Sequence, residues 1–156
     1  MPHTKRLRSV APVLAAVGFM LSSNAWAALG GPYSSVAVDR THMAAKLAVA
    51  SAVTHTVHTL TLANGGKVRE LSRADGVVFA VTWRGPGRPD LRQLLGPHFN
   101  AMQTDNAAAA GRHARRPLRV DRDTLVLRSG GHPGAFWGYA LLPKMAPTGF
   151  SPDTLN

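Results

Sequence analysis

The chain has no cysteine, only eight acidic residues against 18 lysines and arginines, and 6% aromatics among its 156 residues. The missing cysteine removes disulfides, thiol catalysis and thiolate metal sites, so a packed apolar core must hold the fold together. The acidic deficit gives a formal net charge of +10. Such a field favours acidic partners such as nucleic acid, anionic glycans or a membrane surface, although it also keeps a chain soluble with no ligand at all. Beyond the N-terminus no apolar run approaches the ~20 residues that span a bilayer.

The one apolar run that does occur, Ala11 to Leu21, follows Lys5, Arg6 and Arg8 and precedes Ala25-Trp26-Ala27. Positive, apolar and small-x-small segments in that order predict a cleaved secretory signal over 1–27, and export to the periplasm or the medium. The expected mature chain, 28–156, is the size of one domain. It keeps 15 basic residues, 12 of them arginine, against the eight acidic ones.

Gly76 to Trp83 predicts the central strand of a small antiparallel sheet, with Val77, Phe79, Val81 and Trp83 on a core face and Val78, Ala80 and Thr82 on a smaller opposite one. Ahead of it, residues 28–38 read as an extended lead-in. Asp39 reads as an N-cap, and the stripe of Met43, Leu47 and Ala50 as a helix from Arg40 to Ala50. The β-branched run from Val53 to Leu62, the Asn64-Gly65 turn and the Lys67 to Leu71 run make a hairpin, and a second turn at 72–76 completes a three-stranded meander.

After Trp83 a loop rich in proline and glycine ends at Asp90, another N-cap signal. Leu91, Leu94 and Leu95 start a second helix that Gly96-Pro97 should kink and that Phe99 and Met102 carry to about Gln103. Residues 104–118 read as a flexible loop. Two further strands, Thr124 to Arg128 and Ala135 to Pro143, pair as a C-terminal hairpin with Trp137, Tyr139 and Leu141 on one face and Gly138 admitting a close neighbour. The expected fold is α+β, with about five antiparallel strands, two packed helices, and a tail from Ala146 wrapping the surface.

Val68-Arg69-Glu70, Asp75 through Trp83, Gly85-Pro86, the run Pro89-Asp90-Leu91-Arg92-Gln93-Leu94-Leu95-Gly96, Phe99 and Ser129-Gly130-Gly131-His132 resemble the signature of an exported proteobacterial family, the domain of unknown function 2844. The resemblance spans most of the mature chain. It implies export and a shared fold, and brings no activity, cofactor or catalytic residue with it. His98, where an aromatic would be expected before Phe99, and the Ala-Arg loop depart from the pattern.

Candidate chemistry is sparse. Ser129 and His132, with Asp121 and Asp123 nearby in sequence, are the hydroxyl, imidazole and carboxylates of a possible hydrolase, although Ser-Gly-Gly-His-Pro-Gly is first of all turn chemistry. Arg112, His113, Arg115 and Arg116 are candidates for an acidic partner, but the absence of base-stacking aromatics among them argues against nucleic acid. His55 and His58, three apart on a strand, face opposite ways and do not share a metal. No His and carboxylate cluster has metal-site spacing, so neither metal nor cofactor is expected. The favoured function is a non-catalytic binding or assembly module. It would recognise a cell-envelope protein or an anionic envelope component through the sheet edge or the basic surface, with a small hydrolase and a polyanion binder as alternatives.

Overall fold

The computed structural model describes residues 29–110 and 117–155. The expected signal segment, 1–27, and Arg112, His113, Arg115 and Arg116 lie outside the described residues. Among the described residues seven antiparallel strands form one sheet: β1 (Lys46–Ser51), β2 (Thr56–Thr61), β3 (Lys67–Ser72), β4 (Val78–Gly85), β5 (Leu118–Arg122), β6 (Leu125–His132) and β7 (Ala135–Leu141). The order across the sheet is β1-β2-β3-β4-β7-β6-β5, so the strand from Gly76 to Trp83 is central, as its apolar content required. The helices are α1 (Ser35–His42), α2 (Leu91–Leu95) and α3 (Phe99–Ala110). A 3₁₀ turn at Gly96–His98 joins the last two into one kinked unit.

The sheet has two strands more than the five expected, and both additions are edges. β1 replaces most of the helix expected over Arg40 to Ala50. The helix lies earlier, over Ser35–His42, and stops where Ala44 takes a left-handed φ of 47°, after which the chain turns into β1. Lys46 to Ser51 then pairs with β2 from Lys46↔Thr61 to Ser51↔Thr56, and this pairing overrides the helical preference of its alanines and leucine. All six residues of β1 are exposed. The other edge, β5, packs beside α3 and carries Arg119, Asp121 and Arg122.

The lead-in is also more ordered than its composition suggested. Leu29 is buried, Pro32 bridges Val77, and Ser35 already begins α1. Residues 104–110, read as the start of a flexible loop, continue α3 to Ala110. β6 runs on through Ser129-Gly130-Gly131-His132, so the hairpin turn shrinks to Pro133 and Gly134. Two local signals did set structure as they stood. Asp90 Oδ1 accepts from Arg92 N at 2.9 Å and Gln93 N at 3.1 Å, and Gly65, with φ 81°, turns the β2–β3 hairpin.

β4 is buried on both faces, not on one. The alternation of its side chains breaks at a bulge: Leu71 pairs with Ala80 but Ser72 pairs with Val78, leaving Phe79 as the extra residue. Val78, Val81 and Trp83 therefore face the helices with Leu60, Val68, Leu94, Leu127 and Ala140. Phe79 moves to the opposite face with Ala80, Leu71 and Leu141. That second cluster is covered by the C-terminal tail, through Leu155 and the Phe150 ring, whose centroid lies 4.8 Å from that of Phe79 in a T-shaped contact.

Candidate functional site

The tail covers only one band of the face turned away from the helices. That band is the cross-strand row Val57, Leu71, Ala80, Leu141 and Val126. Two residues further along each strand the row reads Thr59, Arg69, Thr82, Tyr139 and Arg128, and two further again it reads Thr61, Lys67, Arg84, Trp137 and Gly130. Alternation along each strand places both rows on the open face, and the antiparallel register sets them side by side. They form a shallow groove of about 650 Å³ lined by Thr59, Lys67, Arg69, Thr82, Arg84, Trp137 and Tyr139, with Leu155 at one side.

Charge and shape in this groove are uneven. Lys67 and Arg84 are directly paired across β3 and β4 and both are exposed. Arg69 Nε donates to Thr82 Oγ1 at 3.1 Å, which orients the guanidinium along the floor. None of these three cations meets a carboxylate among the described residues. Arg128, at the far end of the middle row, is different: it donates to Val120 O and Leu127 O, each at 2.9 Å, and to Asp121 Oδ1 at 2.6 Å. Its charge is consumed inside the β5–β6 hairpin. Trp137, 39% exposed, lies over Gly130, where an added Cβ would come within 3.0 Å of the indole Cζ2. The missing side chain at Gly130 is what lets the ring rest against the sheet.

The helix-side face holds a second polar group of a different kind. Asp39, 0% exposed on α1, and Glu70, 2% exposed on β3, meet in the core, with Gln93 Nε2 donating to Asp39 Oδ1 at 2.7 Å. Burial, then the neighbouring Asp39 charge, then the hydrogen bond to Asp39 push the Glu70 carboxyl up to about 9. Burial also raises Asp39, against the opposing influence of the Gln93 and Glu70 hydrogen bonds. Two carboxyls this close in a dry site hold a proton between them at neutral pH. Asp39 Oδ2, Glu70 Oε1 and Ser35 Oγ have no hydrogen-bond partner there among the described residues. The N-cap expected of Asp39 is thus a buried mid-helix acid.

Ser72 and His58 lie on the same inward parity as Glu70. Ser72 Oγ and His58 Nε2 are 3.0 Å apart, beside an open pocket of about 290 Å³ that Tyr33 and Arg73 also line. His58, expected on a half-exposed strand, is buried, and burial lowers its pKa, which favours the neutral imidazole.

Of the residues picked out from sequence, Ser129 Oγ donates to Trp137 O at 3.1 Å, and His132 Nδ1 lies 2.9 Å from Pro133 O. Three apart on β6, they project from opposite faces. Asp121 is held by Arg128 and then by Arg119, whose hydrogen bonds keep its pKa low, and Asp123 lies in the β5–β6 turn. The constellation of Ser129, His132 and these carboxylates is not assembled. The basic groove and the buried acids were missed, although both had a signal: Lys67-x-Arg69 and Trp137-x-Tyr139 alternate on one parity, and Glu70 shares the inward parity of Val68.

No curated protein and no solved structure matches the chain. The family model described as "Protein of unknown function (DUF2844)" matches residues 25–155, which takes in all seven strands and all three helices, so the chain belongs to the DUF2844 family.

Proposed function

We propose that the protein is an exported, non-catalytic binding module that takes an anionic component of the cell envelope on the open face of its sheet. The observation that supports this most is the cation row: Lys67, Arg69 and Arg84 converge on one groove with no carboxylate against them among the described residues. Exposed charges cost little to keep when solvated and gain when a multivalent anion displaces their counter-ions. The flat cross-strand geometry suits an extended ligand better than a small one.

The Lys67→Gln/Arg84→Gln double variant tests the reading. It should bind anionic polymers more weakly than the wild type, and its affinity should fall less steeply with salt, by about one unit of logarithmic slope per lost contact. Arg40→Gln, which removes an exposed charge from α1 on the other side of the sheet, should behave as the wild type. Equal losses in the two would make the effect one of net charge and remove the groove from the account.

A second reading, a small hydrolase, is favoured by one observation, the Ser72–His58 hydrogen bond beside its pocket. A serine within reach of a neutral imidazole is the minimum for nucleophilic attack. Labelling of the protein by a fluorophosphonate, lost in Ser72→Ala, would establish that reading; an unlabelled wild type would remove it.

A further inference from the structure

Building on the binding reading above, we infer that the ligand of the open face is a carboxylate-bearing polysaccharide, a chain of uronic-acid rings, with one ring stacked on Trp137. Three features of the groove converge on that chemistry. Trp137 rests over Gly130 and is 39% exposed, so its indole offers a flat apolar platform in an otherwise polar surface. A pyranose ring carries a C–H-rich face that fits such a platform, and each uronic-acid unit presents that face and a charge together.

The second feature is the row of hydroxyls beside the indole. Tyr139 and Thr82 are cross-strand partners, and Thr59 continues the row on β2. Thr82 is buried and its Oγ1 accepts from Arg69 Nε, so it holds the guanidinium while the half-buried Tyr139 and Thr59 present their hydroxyls to a ligand. Hydroxyls that both donate and accept match the rim of a sugar, whereas inorganic polyphosphate has acceptors alone to offer. The third is spacing. Lys67 lies two strands from Trp137 and Arg84 lies between them, so the nearest free cations sit about 5 to 10 Å from the platform, placed for carboxylates on the stacked ring and its neighbour.

Nucleic acid fits less well. Sequence-tolerant single-strand binding uses aromatic platforms for successive bases, and this groove exposes one indole. A lipid surface would need apolar side chains to insert, and Leu155, at the side of the groove, is itself buried.

Calorimetric titration of the purified protein with oligogalacturonate, inorganic polyphosphate, neutral dextran and an oligo-dT strand tests the inference. Oligogalacturonate should bind, and both Trp137→Ala and Gly130→Val should weaken it by about tenfold or more, while leaving polyphosphate binding unchanged because all three cations remain and polyphosphate has no ring to stack on the indole. Trp137→Ala alters an exposed residue, so it retains the fold even if Gly130→Val does not. Oligogalacturonate affinity indifferent to Trp137→Ala, or tighter binding of oligo-dT, would overturn the uronate assignment while leaving the anion-binding reading to stand on Lys67→Gln/Arg84→Gln. Failure of all the anionic probes to bind would overturn both.

Discussion

At pH 8 the Glu70→Gln variant will be more stable than the wild type, and the difference will vanish towards pH 4. The cause is the proton that Glu70 and Asp39 hold between them in the core. The Glu70 carboxyl titrates near 9 when folded and near its ordinary value of 4.5 when unfolded. Between those two pH values Glu70 is protonated in the folded chain and ionised in the unfolded one, so its contribution to stability is fully present in acid and falls as pH rises, by about 1.4 kcal/mol per unit at most. Above about 9 both states have lost the proton and the curve flattens. Raising Asp39 acts in the same direction.

A neutral glutamine ends this dependence at position 70. Its amide donates to Asp39, which already accepts from Gln93 Nε2, and no proton is needed to keep the two side chains together. Unfolding free energies from urea titrations at pH 4 to 9 will therefore be equal for the two proteins at the acid end and diverge as pH rises, to a gap of several kcal/mol at the alkaline end. His55, His58 and His98, whose desolvated imidazoles add stability as pH rises from acid, act equally on both. A gap that does not change with pH would mean that the pair is not sharing a proton. Replacing Glu70 by leucine would be a poorer probe, because it leaves Asp39 buried with one acceptor oxygen still unmatched.

Gly138→Ala will destabilise the fold by about 2 to 4 kcal/mol, a large loss for the addition of one methyl group. Gly138 pairs with Trp83 across β4 and β7, and both face the helix layer. An added Cβ would come 2.3 Å from Trp83 Cζ2, 2.5 Å from Cε2 and 2.7 Å from Arg128 O. The backbone oxygen belongs to the neighbouring strand and cannot yield alone, and the indole is 4% exposed in a filled core. Room must come from the sheet or from Trp83. Gly134→Ala is the matched control: nothing lies within 4 Å of its added Cβ, and its φ of 92° leaves only backbone strain of about 1 kcal/mol. Chemical unfolding of the two variants side by side will separate steric from conformational cost, and equal losses would contradict the packing described at Trp83.

How much of this was legible in sequence depended on whether a signal was local. The apolar run into Trp83, the glycine after Asn64 and the cap at Asp90 each act within a few residues, and each appears where its chemistry put it. β1 was not legible, because Lys46 to Ser51 becomes a strand only through its partners on β2. The face of Phe79 was misread because a bulge shifts parity without a marker in the alternation of the strand itself. Half of the groove could be read: alternation placed Trp137 with Tyr139, but only the register between β3, β4 and β7 brings Lys67 and Arg84 beside them. The buried acids were hidden for a related reason. Asp39 and Glu70 are far apart in sequence, and carboxyls seldom enter a core unless each supplies part of the other's solvation.

The claim that the open face is the working surface is tested most directly in living cells, with a photo-crosslinking amino acid placed at Tyr139 in the groove or at Val49 on the exposed β1 edge. The account expects the Tyr139 position to join the protein to a carbohydrate-bearing envelope component, with the adduct lost when Lys67 and Arg84 are also changed to glutamine, and the Val49 position to give none. Adducts at Val49 alone, to a protein and insensitive to the groove charges, would contradict it and move the binding surface to the edge of the sheet.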